Sequence, residues 1–349
     1  MPYNELRKDY LLERWVVIAT ERARRPTDLA KSKPEAAKTS ICPLCAGNEG
    51  LTPPAVMLYQ KINNDIKRSQ DPTSGERNKN WLVRVIPNLF PAFGPPKEPQ
   101  DTMQIVRNDF LLDAIGNHEV IVESPNHEED PADAQLSQLE LVIKAYIDRV
   151  RELSSRPYIK YVSIFRNFGL EAGASLSHAH SQVIATPIVP TIVREEIEAS
   201  QKFYADNGKC VFCDIIEGEV KGPRLVCEDS DFVVFAPYAS INPMEFWIFP
   251  KRHASNILSL SSAEVTALAK TLKTSLKALK NIVNDPPYNY GIHLALNPEV
   301  KDSYHWHLEV YPKLATWAGF EKSTGIYINT VTPEAAAESL RNTIETLNA

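Results

Sequence analysis

Two histidines and a glutamine occupy alternate positions of one short segment, Ser175-Leu-Ser-His-Ala-His-Ser-Gln182. In an extended strand, side chains two residues apart lie on the same face, so His178, His180 and Gln182 are predicted to point the same way. An imidazole is a good nucleophile towards phosphorus, and an amide can donate hydrogen bonds to phosphoryl oxygens as charge builds on them. The segment predicts His180 as a nucleophile and Gln182 as its stabilising neighbour. The alternative is that His180 only supports a metal site.

Each of two Cys-x-x-Cys pairs precedes a His-x-His pair along the chain. A Cys-x-x-Cys pair supplies two thiolates from one turn, and a structural zinc ion takes four ligands in a tetrahedron. The remaining two ligands in each half are predicted to be histidines, which are 51 residues apart in the first half and 52 in the second. The predicted zinc ligands are Cys42, Cys45, His127 and His178 in the first half, and Cys210, Cys213, His253 and His305 in the second. We therefore expect two zinc ions per chain.

The second His-x-His pair differs from the first in the residues that follow it. His180 precedes Ser181-Gln182, whereas His307 precedes Leu308-Glu309 and has no amide at the corresponding position. We interpret the second half as a degenerate copy that is retained for structure.

The pattern of predicted elements also occurs twice. Apolar residues at helical spacing predict a helix over 133–154, and Ser261-x-x-Glu264 is a capping box that opens a second helix. Alternating or β-branched runs predict strands over 13–19, 81–86, 118–124, 158–166, 232–235, 245–249 and 288–296. Two copies of one unit are therefore expected, with a boundary near residue 200.

Composition excludes several classes of protein. The 349 residues are 43% hydrophobic and 23% charged with a net charge of −6, which is ordinary for a globular protein and offers no basic field for a nucleic-acid backbone. No apolar run reaches the roughly 18 residues of a membrane span, and the N-terminus lacks a signal-peptide core. Four of the five cysteines fall into the two pairs, which favours metal over disulfides. We expect a cytoplasmic protein with neither a nucleic-acid partner nor a membrane.

These motifs resemble the galactose-1-phosphate uridylyltransferase branch of the histidine-triad superfamily. The resemblance covers nearly the whole chain, and within the branch it looks especially like the ADP-glucose phosphorylase-like members. The segments that carry this second likeness are Arg24-Arg-Pro-Thr-Asp28, Gly173–Gln182 and Asn284-Asp-Pro-Pro-Tyr-Asn-Tyr290. The uridylyltransferases usually show His-Pro-His-Gly-Gln, and Ala179 and Ser181 replace the proline and glycine here.

The resemblance implies an α+β protein with a duplicated histidine-triad fold, in which helices pack on two antiparallel-sheet domains. Residues 1–200 would form the catalytic domain with its zinc site, and residues 201–349 a second domain with a structural metal. His180 would be covalently nucleotidylated in a ping-pong cycle, Gln182 would hold the transferred phosphoryl group, and the two Cys/His sets would bind metal. Nucleotide contacts would come from Arg22, Arg25, Asn88, Asn167, Gly173 and Ser175, and a sugar contact from Glu321.

The implied function is that of a nucleotidyltransferase acting on a nucleoside diphosphate sugar. One reaction is uridylyl exchange between UDP-glucose and galactose 1-phosphate in galactose and carbohydrate metabolism. The alternative enzyme takes ADP-glucose and uses phosphate as acceptor. A third hypothesis is a zinc-stabilised nucleotide-binding protein without turnover, which the presence of both His180 and Gln182 disfavours. The expected partners are a sugar nucleotide and either a sugar phosphate or phosphate, and a homodimer is compatible with the family.

Overall fold

A computed structural model of the chain describes residues 4–24, 41–63, 65–97, 106–108 and 111–348. The strands are β1 Glu5–Lys8, β2 Trp15–Ile18, β3 Met57–Ile62, β4 Asp65–Ser69, β5 Trp81–Pro87, β6 Val106–Asn108, β7 Leu111–Leu112, β8 Asn117–Val122, β9 Tyr161–Phe168, β10 His180–Thr186, β11 Leu225–Glu228, β12 Phe232–Phe235, β13 Phe246–Pro250, β14 Tyr288–His293, β15 His307–Pro312 and β16 Tyr327–Asn329. The α-helices are α1 Leu136–Ser154, α2 Thr191–Asn207, α3 Val211–Glu219, α4 Ser262–Val283, α5 Gly319–Thr324 and α6 Pro333–Asn348.

Eleven strands form one large sheet in the order β11-β12-β13-β15-β14-β9-β10-β8-β5-β3-β4. All neighbouring strands in this sheet run antiparallel. From the centre outwards, the first half places β9, β10, β8, β5 and β3, and the second half places β14, β15, β13, β12 and β11 in the corresponding positions. Because both halves use the same strand order, the predicted α+β class and the duplicated fold are confirmed.

The two halves meet at the centre of the large sheet. Strand β9 pairs with β14, with Phe168 opposite Tyr288 and Ile164 opposite Ile292. The structure therefore joins the two expected antiparallel sheets edge to edge, which protects two strand edges that would otherwise be open. The boundary that we predict at residue 200 falls within α2, so the division into 1–200 and 201–349 stays a prediction.

One face of the large sheet carries the main hydrophobic core. Helices α1, α4 and α6 bury their apolar faces there, against alternate residues of the strands from both halves. Helix α4 begins with the predicted capping box, since the Ser261 hydroxyl accepts from the Glu264 N–H while the Glu264 carboxylate accepts from the Ser261 N–H. Because α1 and α4 lie side by side on this face, the two halves share a single core.

The opposite face of the sheet is built differently in the two halves. In the second half, residues of α3 and the alternate residues of β12 and β13 form a separate aromatic-rich core. In the first half, a smaller cluster that includes Leu44, Leu58 and Trp81 covers only part of this face. Residues that face away from α1 in the first half therefore retain some exposure.

Several predicted element ends shift by a few residues. The helix predicted from residue 133 begins at Leu136, because Asp130 holds the preceding residues in turns in which its carbonyl accepts from the N–H groups of Asp133 and Ala134. The strand predicted over 158–166 is Tyr161–Phe168, and the strand predicted over 288–296 ends at His293.

A second, three-stranded sheet lies outside the large one. It has the order β1-β2-β16, and β16 runs parallel to β2. None of the helices described is long and apolar enough to cross a bilayer. The cytoplasmic location stays a prediction.

Candidate functional site

The first Cys/His set comes together at one end of β8 and β10. Cys42 and Cys45 lie in a turn, His127 follows β8, and His178 precedes β10. Their donor atoms all lie within 4.8 Å of one another. The Cys45 Sγ is 3.2 Å from the His127 Nδ1 and 3.5 Å from the His178 Nδ1. Residues from three distant parts of the chain thus form one group that can hold a metal ion.

The imidazoles of this set are oriented for metal binding. The Nε2 of His178 lies 2.8 Å from the Ser124 carbonyl oxygen, and the Nε2 of His127 lies 3.1 Å from the Ser177 hydroxyl. Since a carbonyl oxygen can only accept, His178 carries its proton on Nε2 and presents the Nδ1 lone pair to the thiols. A ligating histidine usually donates its other N–H in this way. Two thiols and two imidazoles suit zinc.

The second set repeats this arrangement around the start of α3. The donor atoms of Cys210, Cys213, His253 and His305 also lie within 4.8 Å of one another. The Cys213 Sγ is 3.3 Å from the His253 Nδ1 and 3.5 Å from the His305 Nδ1. The His253 Nε2 lies 2.8 Å from the Lys301 carbonyl oxygen. The Cys213 thiol and the two imidazoles lower the pKa of the Cys210 thiol, which favours the thiolate that a metal requires.

His180 is the first residue of β10, and its side chain is held in one tautomer. Its Nδ1 lies 2.8 Å from the His178 carbonyl oxygen. Because that oxygen can only accept, the proton is on Nδ1 and the lone pair is on Nε2. Only 7% of His180 is exposed, and burial lowers the pKa of its imidazole. His180 therefore presents a neutral nitrogen nucleophile.

Gln182 lies on the same face as His180, two residues along β10. Its Oε1 is 2.8 Å from the Nε2 of His118 on β8, and the same Nε2 is 3.1 Å from the Asn88 amide nitrogen. All three polar side chains are half-buried. The structure thus brings Gln182 near Asn88, one of the predicted nucleotide contacts, and near His118, to which the sequence reasoning gave no role.

A buried polar network lies under His180 on the other face of the sheet. Ser181 alternates with His180 and Gln182, so its side chain points towards α1, where it donates to the Glu123 carboxylate and contacts the Tyr146 hydroxyl. The Nε of buried Arg166 lies 3.2 Å from the Glu123 Oε2. Sequence reasoning missed this network. The available signal was Glu123, a carboxylate that continues the apolar run of β8.

Three predicted nucleotide contacts border the loop between β9 and β10. The Asn167 Oδ1 accepts from the Asn289 Nδ2 at 2.8 Å, and that same Nδ2 donates to the Ala172 carbonyl at 2.7 Å. Gly173 has φ +89°, a left-handed conformation that favours glycine, and it lies against Asn167. Ser175 is exposed in the same loop. The structure therefore places Asn167, Gly173 and Ser175 between the end of β9 and the start of β10.

No hydrogen bond or ion pair found in the described part of the chain joins Arg22 or Glu321, two other predicted contacts, to this loop. Arg22 is exposed in a 3-10 helix, Thr20–Arg24, that follows β2. Glu321 lies in α5 near β16, where its carboxylate accepts from the Ala318 N–H at 3.0 Å. Both belong to the region of the small sheet. Arg25 lies outside the described residues.

His307 belongs to a cluster of four polar side chains that the sequence interpretation did not predict. Its Nε2 lies 3.1 Å from Glu309, the residue at the position of Gln182, and the His293 Nδ1 lies 3.0 Å from Glu196 of α2. The donor atoms of these four residues lie within 4.8 Å of one another. Burial by itself lowers the pKa of His293, but the Glu196 and Glu309 carboxylates outweigh this effect and raise it to about 9. At the position of Gln182 the second half carries a carboxylate and no amide, as the sequence shows, and α2 and β14 add Glu196 and His293, which sequence reasoning did not predict.

The second half has no open counterpart of the His180 face. Aromatic rings of Phe212, Trp247 and Phe249 lie 4.7 to 5.7 Å from the His307 ring, measured between centroids. His307 is 0% exposed. With α3 covering it and Glu309 facing its Nε2, His307 offers no accessible lone pair. The geometry supports a structural role for this copy.

Comparison with known proteins agrees with this arrangement. A family model described as a domain of unknown function, DUF4921, matches residues 106–349. The chain is 35% identical to an ADP-glucose phosphorylase of Arabidopsis thaliana over 97% of this chain and 92% of that protein. It is 30% identical to a galactose-1-phosphate uridylyltransferase of Thermotoga maritima, over 97% of this chain and 98% of that one.

Solved structures give the same result. The crystal structure of an Arabidopsis thaliana ADP-glucose phosphorylase with bound ADP-glucose superposes with a TM-score of 0.80 at 33% identity, covering 97% of this chain and 99% of that one. A uridylyltransferase structure superposes with a TM-score of 0.73 at 29% identity, covering 99% and 100%. The relatives named are enzymes of two kinds that share one fold and nearly the full length of this chain. The chain is therefore an enzyme of the galactose-1-phosphate uridylyltransferase family.

Proposed function

We propose that this enzyme transfers a nucleotidyl group from a nucleoside diphosphate sugar through a covalent intermediate on His180. The observation that carries the proposal is the 2.8 Å contact between the His180 Nδ1 and the His178 carbonyl oxygen. It leaves the lone pair on Nε2, on the sheet face that retains exposure. The equivalent nitrogen of His307 is buried beside a carboxylate.

The proposed reaction has two steps. In the first, the His180 Nε2 attacks the α-phosphorus, a P–N bond forms, the bond from phosphorus to the bridging oxygen breaks, and a hexose 1-phosphate leaves. In the second, an acceptor oxygen attacks the same phosphorus and the P–N bond breaks. The Nδ1 proton stays on the imidazole throughout, where the His178 carbonyl stabilises the positive charge of the intermediate. The amide N–H groups of Gln182 donate to the phosphoryl oxygens as charge develops.

We propose that each Cys/His set holds one zinc ion. A bound zinc would hold the ends of β8 and β10 together and contribute to folding. His178 would be a ligand through Nδ1 while its carbonyl orients His180. The position of His178, fixed through the metal by Cys42 and Cys45, would therefore also fix the orientation of the nucleophile His180. The set of Cys210, Cys213, His253 and His305 would have a structural role.

Two donor and acceptor pairs are compatible with this chemistry. We favour ADP-glucose as donor and phosphate as acceptor, with the release of glucose 1-phosphate and ADP. Support comes from the higher identity to the ADP-glucose phosphorylase than to the uridylyltransferase. The second candidate is uridylyl exchange between UDP-glucose and galactose 1-phosphate, which the relatives named galactose-1-phosphate uridylyltransferase support. A homodimer stays a prediction.

Covalent labelling tests the proposal. The protein is incubated separately with ADP-glucose and UDP-glucose that carry ³²P at the α-phosphorus, and then denatured in alkali, in which a phosphoramidate survives. We expect label from ADP-glucose in the wild type, and none in His180→Asn, whose amide can still donate to the His178 carbonyl but lacks Nε2. His307→Asn is the matched control and should label.

Each outcome separates the hypotheses. Faster labelling from UDP-glucose would select the uridylyl reaction. Label that persists in His180→Asn would place the nucleophile elsewhere. Binding of either sugar nucleotide without any label in the wild type would select the nucleotide-binding protein without turnover.

A further inference from the structure

His118 lies beside Gln182 on the open face of the sheet. Strands β8 and β10 pair so that Val120 is opposite Gln182 and His118 is opposite Ile184. His118 is therefore the diagonal neighbour of Gln182 on the same face, within reach of a long side chain. Its Nε2 lies 2.8 Å from the Gln182 Oε1.

The backbone of the loop after β5 determines the tautomer of His118. The Ala92 N–H donates to the His118 Nδ1 at 3.1 Å. A backbone N–H can only donate, so Nδ1 carries the lone pair and the proton of the imidazole is on Nε2. The same contact excludes a doubly protonated ring, which would place two hydrogens against each other.

The tautomer in turn determines which way the Gln182 amide points. Because the His118 Nε2 carries hydrogen, the atom of Gln182 that faces it must be the oxygen. The hydrogen on Nε2 by itself fixes this orientation of the amide, since an amide nitrogen could not accept from it. The NH₂ group of Gln182 is then directed away from His118. With the opposite amide orientation, Gln182 would present a carbonyl oxygen to the oxygens of a phosphate and repel them.

We propose that His118 is a positioning residue that holds the Gln182 amide with its NH₂ group towards the α-phosphate of the sugar nucleotide. This inference rests on the proposed function, because it needs a phosphoryl group in transfer beside Gln182. The chain of contacts runs from the Ala92 N–H through both ring nitrogens of His118 to the Gln182 oxygen. His118 touches no reacting atom and acts through Gln182.

The contact of Asn88 with the same ring nitrogen, taken by itself, favours the opposite tautomer. Its Oδ1 accepts from the Phe90 N–H at 2.9 Å, which turns its Nδ2 towards the His118 Nε2, 3.1 Å away. If that nitrogen accepted from Asn88, the ring proton would have to lie on Nδ1, against the Ala92 N–H. The direct contact of the Ala92 N–H with Nδ1 excludes that arrangement, so the two facing nitrogens of Asn88 and His118 both carry hydrogen and form no hydrogen bond with each other.

Two substitutions of His118 separate its two hydrogen bonds. In His118→Asn the amide oxygen can take the place of Nδ1 and accept from Ala92, but the donor to Gln182 is lost. In His118→Gln the amide nitrogen can take the place of Nε2 and donate to Gln182. We expect His118→Asn to slow single-turnover labelling on the order of 10-fold to 100-fold, with little change in the Kd of the sugar nucleotide. We expect His118→Gln to restore most of the rate.

The double mutant tests whether His118 acts through Gln182. If it does, His118→Asn should slow labelling strongly in the wild type and hardly at all in Gln182→Ala, so that the two effects are not additive. Additive losses would overturn the proposal, as would a His118→Gln variant as slow as His118→Asn. Melting temperatures of the wild type, the three single variants and the double variant show whether any loss comes from unfolding.

A spectroscopic measurement decides the tautomer without turnover. In protein labelled with ¹⁵N-histidine, long-range ¹H–¹⁵N correlation spectra distinguish the two neutral tautomers, and His118→Asn identifies the signals of His118. We expect the Nε2–H tautomer, and an Nδ1–H tautomer or a charged ring would overturn the inference. A wild type that shows the expected tautomer but takes no label from either sugar nucleotide would refute the proposed function instead, and with it any role of His118 towards a phosphate.

Discussion

Substitution of Arg166 by methionine tests the buried ion pair under the nucleophile. The Arg166 Nε lies 3.2 Å from the Glu123 Oε2, and both side chains are almost fully buried. Methionine retains most of the aliphatic length but removes the charge, so the Glu123 carboxylate stays in the core without its cation. Breaking a buried pair from one side costs about 3–5 kcal/mol. Since a folded protein is stable by about 5–15 kcal/mol, this loss should be large.

The size of the loss can be checked by urea unfolding, followed by the fluorescence of the five tryptophans. With a slope of about 3 kcal/mol per molar urea, the midpoint should fall by about 1 M or more. Lys221→Met is the matched control, because Lys221 forms an ion pair with Glu217 at 3.1 Å in which both side chains are more than 70% exposed. Such an exposed pair contributes about 0–1 kcal/mol.

The double substitution Arg166→Met with Glu123→Leu should recover much of the stability. It removes both charges, and the hydroxyl groups of Tyr146, Ser181 and Tyr290 still have one another as hydrogen-bond partners. Replacement of a whole buried pair by apolar residues is often neutral or stabilising. The reasoning is refuted if Arg166→Met costs no more than Lys221→Met, or if the double variant is as unstable as the sum of its single changes.

Three further predictions follow from the site. Metal analysis should find two zinc ions per chain. Cys42→Ser and Cys210→Ser should each remove one zinc ion and lower the melting temperature, because a structural zinc contributes to folding. A single zinc ion in the wild type would contradict the prediction of two metal sites. Burial lowers the pKa of His180, and only the neutral imidazole is nucleophilic. The single-turnover labelling rate should therefore stay level from pH 8 down to about 6.5 and fall only below that pH. A decline that begins above about pH 7 would contradict the buried environment assigned to His180. In His307→Asn the labelling rate should stay within about 3-fold of the wild-type rate, but the urea midpoint should fall, because the substitution breaks a buried contact with Glu309. A loss of labelling like that of His180→Asn would mean that the second half takes part in the chemistry.

Local patterns in the sequence were sufficient to predict the features that occur in both halves of the chain. The Cys-x-x-Cys pairs and the 51- and 52-residue histidine spacings identified both sets of metal-type donors, because a turn and a His-x-His strand end each place ligands by short-range geometry alone. The same alternation predicted that His180 and Gln182 lie on one face. The capping box at Ser261 was equally local. Duplication of the motifs predicted the duplicated fold.

Features that depend on strand register and on what covers each face required the tertiary structure. His118 meets Gln182 only because β8 and β10 pair with Val120 opposite Gln182, and no pattern within β8 reports that register. The group around His307 takes Glu196 from α2 and His293 from β14, residues far apart along the chain. The pairing of β9 with β14, which makes one sheet of two, is likewise a contact between strand edges.

The difference between His180 and His307 shows most directly what the sequence determines and what the tertiary structure adds. Both are the second histidine of a His-x-His pair, and in both the Nδ1 faces the backbone carbonyl of the first histidine. By itself, the sequence determined that two such histidines exist and that only one is followed by an amide. The tertiary structure decided that α3 and its aromatic neighbours bury His307, whereas the face around His180 stays partly exposed, because burial depends on which helix packs against a strand and not on the strand's own residues.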